Sequence, residues 1–178
     1  FEVSQKIDFP NNMISDSSIS GKVLEKDYQV QTACAEWKTS EITNDKLLHI
    51  TFFDEAYDCT KGIPDTSDLE YRDFPKIFTL TFPASVLANS SFVTGKESTE
   101  YTARADFVIN ANDRYLYTHG EGYIEILSDP QNASTVQGKL WISFPDLQNN
   151  QPVSFDSKNN VIHGQFTAQF INSAQTTK

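Results

Sequence analysis

The sharpest chemical pattern in this chain is His119-Gly120-Glu121, followed much later by His163. In a strand, alternation sets His119 and Glu121 on one face. A distant second histidine would complete the two-histidine, one-carboxylate triad that holds a catalytic iron with one side of its octahedron open. The surroundings such a site needs are missing: spacing names no residues to orient the ligands, and no downstream arginine to hold an acidic co-substrate. His119, Glu121 and His163 are therefore the ligands of a minor alternative, a metal-dependent enzyme, and no cofactor is expected.

The other candidates are weaker. His49 lies in KLLHITFFD, where parity groups it with Leu47, Thr51 and Phe53, the setting of a core or half-core histidine. Serine nucleophiles lack a G-x-S-x-G frame. Gly120 and Gly122 precede neither a helix nor a Lys-Ser/Thr pair, so they form no phosphate loop; two glycines in a strand point to a bulge or a bend. Asp54, Glu55 and Asp58, followed by Asp65, Asp68, Glu70 and Asp73, could offer oxygen ligands to calcium. They lack the EF-hand spacing and its glycine, and the simpler reading is a solvated loop. No catalytic set assembles.

One surface stands out instead. Tyr115, Tyr117, His119, Glu121 and Tyr123 share a parity over five alternate positions, opposite Leu116, Thr118, Gly120, Gly122, Ile124 and Ile126. The second face reads as the buried one. The tyrosines then form either the rim of a core, with hydroxyls in water, or a platform of rigid amphipathic rings for a partner. Trp141 opposes the apolar series of its own strand and joins that outer surface if its strand pairs nearby.

Charge and cysteines narrow the partners and the compartment. Fourteen Lys and Arg against 24 Asp and Glu give a net charge of −10. A field of that sign repels nucleic-acid backbones and anionic lipid heads, and Arg72, Arg104 and Arg114 form no basic cluster, so no nucleic acid is expected. No apolar run approaches the length of a membrane-spanning helix. FEVSQKIDFP carries no leader and reads as a mature start or as a chain from which a leader was cut. Cys34 and Cys59 fit no redox or zinc spacing, and Cys59 lies in a polar turn-like stretch, DEAYDCTKG; a Cys34–Cys59 disulfide is the expectation. It places the protein in an oxidising compartment: periplasm, cell surface or outside. The sequons at Asn89 and Asn132 lie in turn-like segments compatible with export.

The elements that must position these residues are strands. KIFTLTF sets Phe78, Leu80 and Phe82 on one face, and the same period of two runs through 101–109, 136–144 and 161–171. In this reading Phe107, Phe144, Phe166 and Phe170 also face inward. Turn clusters at 110–113, 128–132, 145–152 and 156–160 separate the strands, giving a hairpin across 110–113 and a meander from about 101 to 171. Further strands are expected at 1–9, 19–25, 28–37 and 46–54, eight to ten in all. Helix is confined to short candidates at 65–71 and 84–88, and 55–75 reads as a long acidic crossover loop. No linker divides residues 1–178. Strands in this number must stack as two sheets or close on themselves, because an open sheet leaves one face wet and two edges unpaired. The expected fold is a single all-β domain, an antiparallel β-sandwich or jelly roll, with an up-and-down barrel as the alternative.

The functional expectation is a secreted or periplasmic, non-enzymatic binding module that engages a protein or glycan through the aromatic face Tyr115, Tyr117, His119, Glu121, Tyr123 and Trp141 or through its loops. A carrier of a small apolar ligand inside the fold is the main alternative, since 13 Phe could line a cavity as well as fill a core.

Overall fold

A computed structural model describes residues 14, 17–23, 26–63, 77–83, 85–86, 88–94, 103–111, 114–144 and 160–171, with the backbone alone at 26, 107–111 and 114–119. The expected strand at 1–9, the helix at 65–71 and residues 84 and 87 lie outside these, as do Asp65, Asp68, Glu70 and Asp73.

Among the described residues the period of two becomes eleven strands: β1 (Ser20–Val23), β2 (Lys26–Gln29), β3 (Thr32–Thr39), β4 (Lys46–Phe53), β5 (Ile77–Phe82), β6 (Ser90–Thr94), β7 (Arg104–Ala111), β8 (Arg114–His119), β9 (Glu121–Ile126), β10 (Thr135–Ser143) and β11 (Val161–Phe170). They hydrogen-bond into one continuous sheet in the order β6-β9-β10-β11-β3-β4-β5-β7-β8, with the β1–β2 hairpin attached to β11. The all-β class holds, and the nearly closed sheet follows the barrel alternative. The sheet is mixed, because β11 and β3 run parallel. The expected hairpin is present, with Ala111 paired to Arg114. The meander holds through β9, β10 and β11 but breaks between β8 and β9, which have different neighbours.

That break brings the two ends of the sheet together. β8 ends one side of the sheet, β9 lies next to the other side, and only Gly120 separates them in the chain. The Gly120 N–H donates to the Ala105 carbonyl at 2.8 Å and its own carbonyl accepts from Thr94 Oγ1 at 2.9 Å, so β6 and β7 meet the chain at the bend. A Cβ here would collide with Ile142 Cγ2 and stand 3.1 Å from the Phe144 ring. The bend expected of the glycine pair is thus a corner of the fold, where only a residue without a side chain fits.

Inside lies one apolar cluster drawn from both halves of the chain. Phe52 packs on Phe78 and edge-on to Phe166, each with ring centroids 5.1 Å apart, and Phe78 meets Phe144 edge-on at 5.9 Å. These are the offset and edge-to-face arrangements that aromatic quadrupoles favour. Phe78, Phe82, Phe144, Phe166 and Phe170 are all buried, as their parity implied; the Phe107 side chain is outside the described set.

A second apolar cluster sits on the outer wall, where Cys34, Phe53 and Ile77 are covered by the segment after β4. Tyr57 stacks on Phe53 with centroids 4.3 Å apart, and a single 3₁₀ turn, Cys59–Lys61, follows. Asp58 caps that turn, accepting from Thr60 N at 3.0 Å and Thr60 Oγ1 at 2.6 Å. These bonds hold its carboxyl below the ordinary carboxylate range. Cys34 and Cys59 are joined in a disulfide with Cα atoms 5.5 Å apart, which staples the segment to β3.

Replacing both cysteines by serine removes a cross-link across 25 residues. The chain-entropy estimate for such a loop is about 3 kcal/mol, equivalent to a loss of roughly 6–12 °C in Tm for a domain of this size. Differential scanning calorimetry of the double variant checks this, and a drop below about 2 °C would contradict the estimate.

Candidate functional site

The register across β9, β10 and β11 brings three of the candidate residues into one row. Val93 pairs with Tyr123, Tyr123 with Trp141, and Trp141 with His163. The row faces outward, since its neighbours Ile124, Leu140, Ile142 and Ile162 enter the core. Trp141 therefore lies on the same outer wall as Tyr123, but it is not an open platform: it is only 5% exposed, packed with Ile14 and Val161. That cover comes from a residue remote in the chain, which alternation cannot reveal. Tyr123 is half-buried and Val93 is 49% exposed.

The five-residue row of the sequence is divided by the Gly120 corner. Tyr115, Tyr117 and His119 lie on β8 opposite Asn110, Val108 and Asp106, while Glu121 and Tyr123 lie on β9 beside β6 and β10. The side chains of Tyr115, Tyr117 and His119 are outside the described set. Glu121 pairs with Ser143, and His163 with Trp141, so β10 separates them and they are offset by two residues. Strand spacing puts their backbones about 12 Å apart, with Trp141 and Ser143 between them on the same face. Ser143 Oγ donates to the Glu121 carbonyl at 3.1 Å. Among the described residues, no three His, Cys, Asp or Glu come together as metal ligands.

A different feature emerges where β11 parts from β3. The two strands pair only at Gln169–Cys34 and Phe170–Ala35. At its other end β11 pairs with β1 through Val161, Ile162 and His163. Between these contacts segment 17–19 lies against β11: Ser18 bridges to Gln165, and Gln165 N donates to the Ser17 carbonyl at 2.8 Å. Gly164 permits that approach, because at φ +146° a Cβ would stand 2.7 Å from the Ser17 carbonyl oxygen and 2.8 Å from the Ile19 backbone. A cleft of about 440 Å³ results, bounded by Ser17, Ser18, Val30, Gln31 and Ala33 on one side. Leu127, Gln137 and Gly138 bound it on the other, with Gln165, Phe166 and Thr167 of β11 between. Six of these carry hydroxyl or carboxamide groups, and none carries a charge.

No family model, curated protein or solved structure matches this chain. Its chemistry is therefore argued from the site alone.

The cleft residues were not candidates by spacing. One signal was available: the outward positions His163, Gln165, Thr167 and Gln169 form a neutral polar run in a chain that is 21% charged. The acidic residues Asp54, Glu55 and Asp58 instead flank the stapled segment, and the sequon asparagines Asn89 and Asn132 occupy exposed left-handed turn positions at φ 61° and 56°.

His49 is the half-core residue its parity suggested, on the outer wall of β4. It stands in a row with Glu36, Thr81 and Arg104, next to a second row of Cys34, Thr51, Thr79 and Asp106. Arg104 Nε donates to Asp106 Oδ2 at 2.7 Å, and Lys38 Nζ lies 3.1 Å from Glu36 Oε1. His49 Nδ1 and Thr51 Oγ1 are buried without a hydrogen-bond partner, and Glu36 Oε1 has only the ion-pair contact. Burial first, and then the charges of Lys38 and Arg104, lower the His49 pKa to about 3.

The consequence has a definite sign. Between pH 6.5 and 3 the unfolded chain binds a proton that folded His49 refuses, so stability present above pH 6.5 is lost as pH falls toward 3. Urea unfolding at pH 7 and pH 4 should show a larger loss for the wild type than for His49→Gln. The difference is at most about 3 kcal/mol, from about 1.4 kcal/mol per pH unit. Equal losses would contradict the burial of a neutral imidazole.

Proposed function

We propose that the protein is an exported, non-catalytic binding domain that engages a protein or glycan at the outer surface of its barrel, through the cleft that crosses β11. The observation that carries this reading is the cleft itself. Its volume falls in the roughly 300–1,000 Å³ range of sites that bury a small ligand or the end of a larger one, and its polar groups converge from four separate parts of the chain. The disulfide supports an oxidising compartment. No helix among the described residues is long and apolar enough to cross a membrane. The interior offers less to a ligand, since its phenylalanine rings pack on one another.

Thr167 is an exposed strand position bordering the cleft, so Thr167→Trp should fill the site while suiting the strand. Wild type and variant are displayed side by side against a glycan array and a panel of purified extracellular proteins. The expected outcome is at least one ligand whose affinity falls tenfold or more in the variant, with Tm within about 3 °C of the wild type. Ligands retained equally by both proteins, or none by either, would overturn the reading.

A further inference from the structure

We propose that the cleft across β11 selects an uncharged saccharide; the inference rests on the reading that this cleft is the binding site, and names what it takes. Its polar groups are the carboxamides of Gln31, Gln137 and Gln165 and the hydroxyls of Ser17, Ser18 and Thr167. A carboxamide sets a carbonyl acceptor beside an N–H₂ donor, and a hydroxyl both donates and accepts. That mixture complements the vicinal hydroxyls of a sugar, which also donate and accept at neighbouring atoms.

The rival ligand classes fit less well. Phosphate, sulfate and carboxylate groups call for Arg or Lys, which supply charge-assisted bonds. None is among the described residues that line the cleft, and the net charge of −10 disfavours anions at long range. A cation would need a carboxylate, and the described lining holds none. Glu125 and Lys139, in register with Gln165, form an ion pair at 3.2 Å. A purely apolar ligand would strip water from Gln31, Gln137 and Thr167 without replacing its bonds, at about 1–3 kcal/mol for each group left unsatisfied. An extended peptide added as a strand needs an open sheet edge. β11 offers none of useful length, being paired along one side by β10 and on the other by β1, Ser18 and β3.

Two further observations point the same way. Among the described residues, the carboxamides of Gln31 and Gln137 and the hydroxyl of Thr167 make no hydrogen bond, which leaves them to a ligand. Beside them Leu127, 37% exposed, offers an apolar wall for the C–H face of a sugar ring.

The test is isothermal titration of the full chain with neutral di- to tetrasaccharides of gluco, manno and galacto configuration, and with their sulfated or uronic counterparts, at 50 and 500 mM NaCl. At least one neutral saccharide should saturate the protein, with affinity changing less than twofold between the two salts and falling at least tenfold for the anionic analogue. Gln31→Ala and Gln137→Ala should each weaken it about 3- to 10-fold, and Thr167→Trp should abolish it, with all three variants folded by circular dichroism. If no neutral saccharide binds while some other ligand is lost in Thr167→Trp, the saccharide inference fails and the cleft reading stands. A saccharide bound equally well by folded Thr167→Trp overturns both.

Discussion

The fold depends on one steric constraint, the absence of a side chain at residue 120. The sheet can close only if the chain leaving β7–β8 crosses to the far side and pairs between β6 and β10, and a single residue separates those two roles. Ile142, Phe144 and Ala105 crowd the space a Cβ would occupy. Closure also removes most of the unpaired edge that a long strand array would otherwise expose. The same bend fixes which residues face inward, because strand period and corner together set Ile124 and Ile126 against Leu140, Phe144 and the phenylalanines of β4 and β5.

With the interior filled, the patches of the outer wall differ from one another. Next to β3–β5 the disulfide-stapled segment covers Cys34, Phe53 and Ile77. On β10, Ile14 and Val161 cover Trp141. Near β4 the wall is polar yet buried, leaving His49 neutral beside Lys38 and Arg104. A neutral imidazole is the less costly state there, since a third positive charge would be buried beside Lys38 and Arg104. Across β11, polar side chains gather around open volume.

How much of this could be read in advance follows from how local each feature is. The alternation of KIFTLTF, and of the segments that became β10 and β11, reports burial on one face and needs no knowledge of partners. The glycines at 120 and 122 announced a bend for the same local reason. β6 escaped because Asn89-Ser90-Ser91 has turn chemistry, and its strand character comes from pairing with β9. The division of the tyrosine row between β8 and β9 escaped likewise, since parity along a chain says nothing about which strands lie alongside. The cleft is the least local feature, assembled from segment 17–18, the start of β3, Leu127 with β10, and β11.

The disulfide belongs to the same problem. β3 rejoins β11 at Cys34 and Ala35, directly after the residues that wall the cleft. This is a short parallel contact, a pairing somewhat less stable per residue than an antiparallel ladder, and an unsupported two-residue junction would fray. Cys34 is one of its two β3 positions, and its bond to Cys59 fixes the Phe53–Tyr57 stack on the outer face of that joint. Tyr57 N also donates to Thr32 Oγ1 at 3.0 Å, tying the stapled segment to the residue beside Ala33. The cross-link thus acts where the sheet divides, just beyond the edge of the cleft.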